Sequence, residues 1–96
     1  MTAYIVFTRE QTVDPAELAT YGEMVPAARA GHNFSALVRY GDFEVLEGDP
    51  IEGAVILAFP TFAEAKAWYG SPAYQAAAQH RFAGARYRAF IVEGVA

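Results

Sequence analysis

Five stretches of the chain are rich in β-branched and aromatic residues, the composition that favours β-strands. They are AYIVFT (3–8), FSALVRY (34–40), FEVLE (43–47), AVILAF (54–59) and YRAFIVE (87–93). Gly41-Asp42 separates the second stretch from the third, and a two-residue link with glycine is typical of a tight β-hairpin. The pattern therefore predicts five strands, two of which are joined as a hairpin.

A first helix is predicted after the first strand. Asp14 suits the N-cap, Pro15 suits the first helical position, and Glu17 stands where the carboxylate of a capping box bonds back to the backbone. Pro26 lacks the N–H that a continuous helix needs, so we expect a kink there. Gly31 suits a left-handed cap, and we expect the helix to end near it.

Two further helices are predicted in the second half of the chain. Thr61 and Glu64 form a capping box after the strand at 54–59. Gly70 ends that helix, and Ser71 followed by Pro72 opens another. The helical segments therefore meet at a sharp break.

The predicted order of elements is β-α-β-β-β-α-α-β. With the strand at 43–47 treated as an addition, this is the βαββαβ order of an α+β, ferredoxin-like fold with an extra hairpin strand. We expect residues 1–96 to form one domain, since the length suits a single small domain.

The strands are apolar on both faces. In the first strand Ile5 points to one face and Val6 to the other, and the strands at 54–59 and 87–93 show the same two-sided pattern. Helices cover only one face of a ferredoxin-like sheet, so we expect a second copy of the chain to cover the other in a homodimer. A charged residue at Ile5 or Val55 is expected to disrupt that dimer.

Composition excludes several classes of protein. The net charge is −4, and the single lysine and six arginines are scattered, which argues against a nucleic-acid partner. The chain has no cysteine, which excludes disulfides, thiol nucleophiles and cysteine metal sites. The longest apolar run, AVILAF, is far shorter than the ~18 residues of a membrane helix. We expect a soluble, cytoplasmic protein with no membrane partner.

Several motifs together resemble one family. They are AYIV (3–6), VP (25–26), LVR (37–39), VLEGD (45–49), FP (59–60), EAKAWYGSPAYQ (64–75), Arg81 and VEG (92–94). In these the chain resembles the small bacterial family called domain of unknown function 1330, of the dimeric α+β barrel superfamily. The resemblance covers nearly the whole chain and implies a ferredoxin-like protomer whose sheet meets that of its mate.

The chain departs from the family's pattern before the second predicted strand. Members tend to have His-Gly-Gly, then a basic residue and an aromatic one. His32 matches, but Asn33 and Phe34 replace the glycines, and Ser35 and Ala36 replace the basic and aromatic residues. A function that needs those glycines or that basic side chain is therefore not expected here.

The resemblance implies a fold more firmly than an activity. The superfamily includes cofactor-independent monooxygenases of aromatic compounds, haem-degrading enzymes, lactone isomerases and proteins that only bind or regulate. Because a fold does not fix a function, whether the chain is an enzyme stays open. We expect no cofactor.

Three aromatic residues with polar groups surround the break between the last two helices. Trp68, Tyr69 and Tyr74 lie beside Gly70-Ser71-Pro72. They either pack as core, with their N–H and O–H groups bonded locally, or line the wall of a small-molecule site. On the second interpretation all three are ligand-binding residues.

His32 is the candidate catalytic residue. A histidine just beyond a helix end either meets the free carbonyls there or acts as a general acid or base near neutral pH. His32 and His80 are distant in sequence and no third ligand accompanies them, so no metal site is expected. The superfamily's haem-binding members make axial ligation by either histidine a further alternative.

Two arginines are candidate ligand-binding residues. Arg39 faces Glu47 across the predicted hairpin. The two residues either form a simple cross-strand ion pair or stand as a charge pair at the mouth of a site that orients an anionic or phenolic ligand. Arg81 either complements the C-terminal end of its helix or binds a carboxylate.

Two functions follow from these alternatives. The first is a dimer that binds a small apolar or aromatic metabolite between sheet and helices, with cofactor-independent catalysis left open. The second is a non-catalytic structural or interaction dimer without a ligand site. A cavity lined by the aromatic residues with His32 or Arg39 at its rim favours the first, and closed packing around Trp68 and Tyr74 favours the second.

Overall fold

The computed structural model describes residues 1–95. Its elements are β1 (Ala3–Thr12), α1 (Pro15–Met24), a 3-10 helix (Val25–Arg29), β2 (Ser35–Arg39), β3 (Gly53–Phe59), α2 (Phe62–Tyr69), α3 (Pro72–Gly84) and β4 (Ala85–Glu93). The four strands form an antiparallel sheet in the order β2-β3-β1-β4. The predicted α+β, ferredoxin-like fold is confirmed.

Local capping explains where the helices begin. The Asp14 carboxylate accepts a hydrogen bond from the Ala16 N–H, and Ser71 Oγ accepts one from the Tyr74 N–H. The predicted capping box at Glu17 is not formed. Its Oε2 lies 2.6 Å from His80 Nδ1 instead, a contact that ties α1 to α3.

The predicted interruption at Pro26 is confirmed. The α-helix ends at Met24 and the chain continues as a 3-10 helix to Arg29, because proline cannot donate the α-helical hydrogen bond. Gly31 follows with φ +81°, the left-handed conformation that glycine adopts without strain. The chain then turns into β2.

The predicted strand at 43–47 is wrong. Tyr40 has φ +55°, which takes the chain out of the extended conformation before Gly41-Asp42 can form a hairpin turn. Residues 41–50 contain no strand, and Glu47 makes no ion pair with Arg39. Local composition favoured a strand there, but no neighbouring strand pairs with it.

The core lies between the sheet and the helices. Alternate residues of β1 and β3 point inward, and Ile5, Leu57 and Phe59 are buried against Trp68 and other residues of the helical layer. Ile5 and Val55 were predicted to lie in the dimer interface, and this prediction is wrong because both face the helices. Ile5 is 1% exposed in the core and Val55 packs against it. Strand periodicity separates the two faces but does not say which one the helices cover.

The opposite face of the sheet is apolar and uncovered. Val6 pairs with Ile56 of β3 on one side and with Phe90 of β4 on the other, so the three side chains form a row across the sheet. Phe90 is 47% and Val92 45% exposed. We call this surface, formed by Val6, Ile56, Phe90 and Val92, the open face.

Candidate functional site

A cavity of about 450 Å³ separates α1 and the 3-10 helix from the inner face of the sheet. None of the residues of α1 is buried, because the helix spans this hollow and does not sit directly on the sheet. The wall is mainly apolar and aromatic and includes Phe7, Tyr21, Val25, Phe34, Tyr40, Leu57, Trp68 and Tyr87. We call this hollow the aromatic cavity.

Two arginines lie on the wall of the aromatic cavity. Arg29 is held in place, since its guanidinium donates to the Phe34 carbonyl and lies over the Phe34 ring, 4.3 Å from the centroid. Arg39 is exposed and makes no ion pair within residues 1–95. Of the two cations, Arg39 therefore has its charge free to meet a ligand.

Tyr40 covers part of the same cavity in an unusual backbone conformation. Its positive φ is uncommon for an aromatic residue, and such strain persists only where surrounding contacts hold it. The ring lies against Gly53, where an added Cβ would come within 2.6 Å of Tyr40 Cδ1. The Tyr40 hydroxyl is 2.5 Å from that of Tyr87, and the Arg9 guanidinium lies over the ring at 4.9 Å.

Trp68 forms the inner wall of the aromatic cavity. Its ring stacks on Tyr74 with centroids 4.1 Å apart and also packs against Phe34 and Phe59. Trp68 is 1% exposed, and its Nε1 has no hydrogen-bond partner within residues 1–95. Ser71 fixes the chain at this break, because its Oγ donates to the Trp68 carbonyl over 2.7 Å.

Tyr74 lies behind the wall and does not line it. Its side chain is fully buried, and its hydroxyl is 2.9 Å from that of Tyr21, which does line the cavity. Burial raises the pKa of both phenols, with the neighbouring hydroxyl adding to the shift at Tyr21. Burial and the hydrogen bond to Tyr87 likewise raise the pKa of Tyr40.

Tyr69 and Arg81 line a second cavity. It measures about 460 Å³, is open to solvent and lies along the edge strand β4. We call it the edge cavity; its wall also carries Glu10, Phe82, Ala85, Arg86, Tyr87 and Ala89. Burial alone would lower the pKa of the Arg81 guanidinium, but the nearby Tyr74, Tyr21 and Tyr69 outweigh it, and the pKa is raised. The Arg81 guanidinium is therefore a cation at neutral pH.

The structure thus divides the predicted ligand-binding residues between two places. Arg39 and Trp68 lie on the aromatic cavity, while Tyr69 and Arg81 lie on the edge cavity. Tyr74 packs between Trp68 and Tyr69. The sequence analysis placed Trp68, Tyr69 and Tyr74 at one site, because sequence alone does not show that Tyr74 fills the space between the aromatic cavity and the edge cavity.

His32 lies on neither cavity. It is half-buried in the loop before β2, its backbone N–H donates to the Arg29 carbonyl over 3.0 Å, and it is absent from both walls. The acid–base role of His32 stays a prediction. Sequence reasoning missed Tyr40 and Tyr87, since both have the composition of ordinary strand residues and nothing local marks their contact.

Neither a cluster of metal-binding side chains nor a membrane-spanning helix is found among the residues that the structure describes. Within residues 1–95 no three His, Asp or Glu side chains come together as a metal site. No helix there is long and apolar enough to cross a membrane.

The chain belongs to the family described as Domain of unknown function (DUF1330), which matches residues 2–95. This match confirms the family resemblance that the sequence motifs indicated. Among curated proteins none matches the chain.

Solved structures share the fold at low sequence identity. A protein of unknown function from Rhodopseudomonas palustris, RPA0582, is 19% identical, with a TM-score of 0.72 over 99% of this chain and 83% of that one. A dimeric ferredoxin-like protein of unknown function from Bacteroides fragilis is 12% identical, with a TM-score of 0.64 over 97% and 96%. SnoaB, a cofactor-independent oxygenase from Streptomyces nogalater, is 14% identical, with a TM-score of 0.65 over 99% and 94%.

Proposed function

We propose that the chain binds a small, flat, apolar or aromatic metabolite in the aromatic cavity and that it does so as a homodimer. The observation that carries the proposal is the cavity itself. Its volume of about 450 Å³ falls in the range of small-molecule sites, and its wall is formed largely by aromatic rings. The buried rings of Phe34 and Trp68 close its inner end, and the more exposed rings of Tyr21 and Tyr40 offer surfaces against which a planar ligand packs.

Polar groups at the cavity support a ligand with one hydroxyl or one negative charge. Arg39 carries an unpaired cation, and the Tyr40 hydroxyl can accept or donate a hydrogen bond once it leaves Tyr87. A phenol or phenolate placed between them would gain a charge-assisted hydrogen bond. Aromatic alcohols are therefore the ligand class that fits best.

The proposal is for binding and not for turnover. The titratable groups on the wall of the aromatic cavity are tyrosines and arginines. Arginine does not release its proton in proteins, and the raised pKa values of Tyr21 and Tyr40 keep those phenols neutral. General-base catalysis at neutral pH would need a different kind of side chain.

The open face supports the homodimer. Val6, Ile56 and Phe90 form a continuous apolar row that water would otherwise contact. A two-fold axis lets one such surface cover another identical one, and a similar fold occurs in a protein described as dimeric.

A non-catalytic interaction dimer without a ligand is the second candidate. Two observations favour it. Trp68 and Tyr74 are 1% and 0% exposed, which is the closed packing expected of such a dimer, and in the loop after β2 Phe43 is 49% and Leu46 85% exposed. Apolar side chains in such a loop are typical of a contact with another protein surface.

Calorimetric titration of the purified protein with 2-naphthol tests the proposed site. Gly22 lies on the wall in α1, and an added Cβ there meets nothing within 4 Å. We expect Gly22→Phe to project a ring into the cavity and weaken naphthol binding by about tenfold or more, which corresponds to about 1.4 kcal/mol. Gly22→Ala is the matched control, since it changes the same position but leaves the cavity open.

The Gly22→Ala control should bind naphthol as the wild type does and should be more stable by up to about 1 kcal/mol, because alanine favours a helix over glycine. Equal affinity of Gly22→Phe and the wild type would exclude the aromatic cavity as the site. Absence of saturable binding by any aromatic alcohol would favour the interaction dimer.

A further inference from the structure

Arg81 is a deeply buried cation with few protein partners. It is 3% exposed in the last turn of α3, and its Nε has no hydrogen-bond partner within residues 1–95. Its Nη2 donates a long hydrogen bond of 3.4 Å to the Tyr69 hydroxyl. No carboxylate of the described residues forms an ion pair with it. The Tyr74 hydroxyl also lies near enough to act on the guanidinium as a hydrogen-bond partner. Two neutral phenol oxygens are therefore its side-chain partners among the described residues, and Nε is left without an acceptor.

Aromatic rings surround the Arg81 guanidinium. Its Cζ lies 5.2 Å from the centroid of Phe7, 4.9 Å from that of Phe82 and 5.1 Å from that of Tyr87. Ring faces attract a cation, but they do not replace the oxygen acceptors that N–H groups prefer. Buried charges in proteins are normally paired, so an anion at this position would complete the arrangement.

The edge cavity gives an anion access to Arg81. Arg81 and Tyr69 both line this solvent-open hollow of about 460 Å³. The other charged groups on the wall are Glu10 and Arg86, one of each sign. Arg81 therefore gives the wall a net positive charge.

We propose that the edge cavity binds a small carboxylate that carries a flat apolar body. The carboxylate accepts hydrogen bonds from the Arg81 guanidinium and the Tyr69 hydroxyl, and the body lies against Phe82 and Tyr87. Arginine suits this role because its planar fork matches the two oxygens of a carboxylate. Phe82 is 52% exposed and a ligand would cover it. The edge cavity shares only Tyr87 with the wall of the aromatic cavity, and Arg81, Tyr69 and Phe82 belong to the edge cavity alone. The carboxylate site is therefore tested separately from the function proposed for the aromatic cavity.

Benzoate is the probe for this site, and benzamide is its control of the same shape without the charge. We expect benzoate to bind saturably by calorimetry and to shift the amide NMR signals of Phe82 and Ala89. Benzamide should bind about tenfold more weakly or worse, because its neutral amide brings one carbonyl oxygen and no negative charge to Arg81.

Variants of the edge cavity identify the groups that hold the probe. Arg81→Gln should abolish benzoate binding, while Lys66→Gln, which removes an exposed positive charge on α2, should leave it unchanged. If Arg81→Gln does not fold, Tyr69→Phe and Phe82→Ala test the same site from its hydroxyl and its exposed ring. Each should weaken benzoate binding without unfolding the protein.

Several results would overturn the proposal. They are the absence of saturable benzoate binding, equal binding of benzoate and benzamide, and signal shifts at Gly22 and Val25 of the aromatic cavity in place of Phe82 and Ala89.

The Glu10→Gln variant provides a further test of the proposed site. If Glu10 neutralises Arg81 in solution, the variant melts at a lower temperature and the proposal fails. If the site is open to a ligand, its melting temperature is unchanged and benzoate binds more tightly.

Discussion

The hydroxyl groups of Tyr40 and Tyr87 lie 2.5 Å apart, although the residues are 47 positions apart in the chain. This contact joins the loop after β2 to the edge strand β4 over the aromatic cavity. It is formed because Gly53 leaves room for the Tyr40 ring and because Tyr40 adopts a positive φ. Part of the cavity is therefore covered by one strained residue, whose backbone N–H donates to the Ala54 carbonyl over 2.8 Å and whose ring is held by Gly53 and Tyr87.

Gly53→Ala should displace the Tyr40 ring, because the new Cβ would lie within 2.6 Å of Tyr40 Cδ1. We expect the variant to lose about 1–3 kcal/mol of unfolding free energy, the usual cost of overpacking. In a Tyr40→Ala background the same change should cost much less. Urea unfolding of the four proteins of this double-mutant cycle gives the coupling, and equal costs in both backgrounds would show that the ring does not depend on Gly53.

Trp68→Ala should destabilise the protein by about 3–5 kcal/mol, because the ring is 1% exposed and packs against several other aromatic rings. Phe62→Ala is the control on the same helix, since Phe62 is 42% exposed and should cost far less. Chemical denaturation measures both. A loss below about 1 kcal/mol for Trp68→Ala would mean that the ring is not part of the core.

Phe90→Glu should convert the dimer to a folded monomer. Phe90 lies on the open face and is 47% exposed in the single chain, so a carboxylate there is hydrated in the monomer but would be buried in the dimer. Light scattering after size exclusion and circular dichroism measure mass and folding. Phe62→Glu, on the helical side, should stay dimeric. A wild type that is monomeric at micromolar concentration would contradict the homodimer.

Alkaline pH should unfold the protein through phenols whose pKa the fold raises. Tyr74 is fully buried and Tyr21 half-buried, whereas Tyr40 is 43% exposed and contributes least because water screens it. The pKa values of Tyr21, Tyr40 and Tyr74 are raised in the folded state, so these groups ionise more easily in the unfolded chain, where the pKa is about 10. Their contribution to stability is complete below pH ~10 and is lost as pH rises through the folded pKa values. Tyrosinate absorbance should therefore show these three phenols ionising together with the loss of circular dichroism. Ionisation of all six tyrosines before unfolding would contradict this.

His32→Gln separates the two hypotheses for His32. We expect a stability loss of about 1 kcal/mol or less and no change in naphthol affinity, because His32 stands at a helix end and on neither cavity wall. Thermal melts and calorimetry measure the two quantities. Lost affinity with an unchanged melting temperature would support the acid–base role.

The sequence was sufficient for features that depend on a few neighbouring residues. The caps at Asp14 and Ser71 and the interruption at Pro26 each involve groups within about one helical turn. The strand alternation also predicted an inner and an outer face. It could not say that Ile5 faces inward, because that depends on where the helices pack.

The candidate site was harder to predict because long-range contacts form it. Arg81 was singled out for its charge, but its burial depends on Phe7 and Tyr87, which come from other elements. The conformation of Tyr40 depends on its contacts with Gly53 and Tyr87, and no local pattern indicates them. Residue type therefore predicted some of the residues that line the cavities, whereas long-range packing determines that these residues divide between two cavities.

Phe34 limits how far ligand-binding results on relatives apply to this chain. The family resemblance implies glycine at this position in other members, whereas here the Phe34 ring packs against both Phe59 and Trp68 on the wall of the aromatic cavity. A homologue with glycine there lacks this ring and has more room at the same place. Ligands that bind such a homologue should include longer molecules than this chain admits, so the range of ligands proposed for this chain has to be determined on the chain itself.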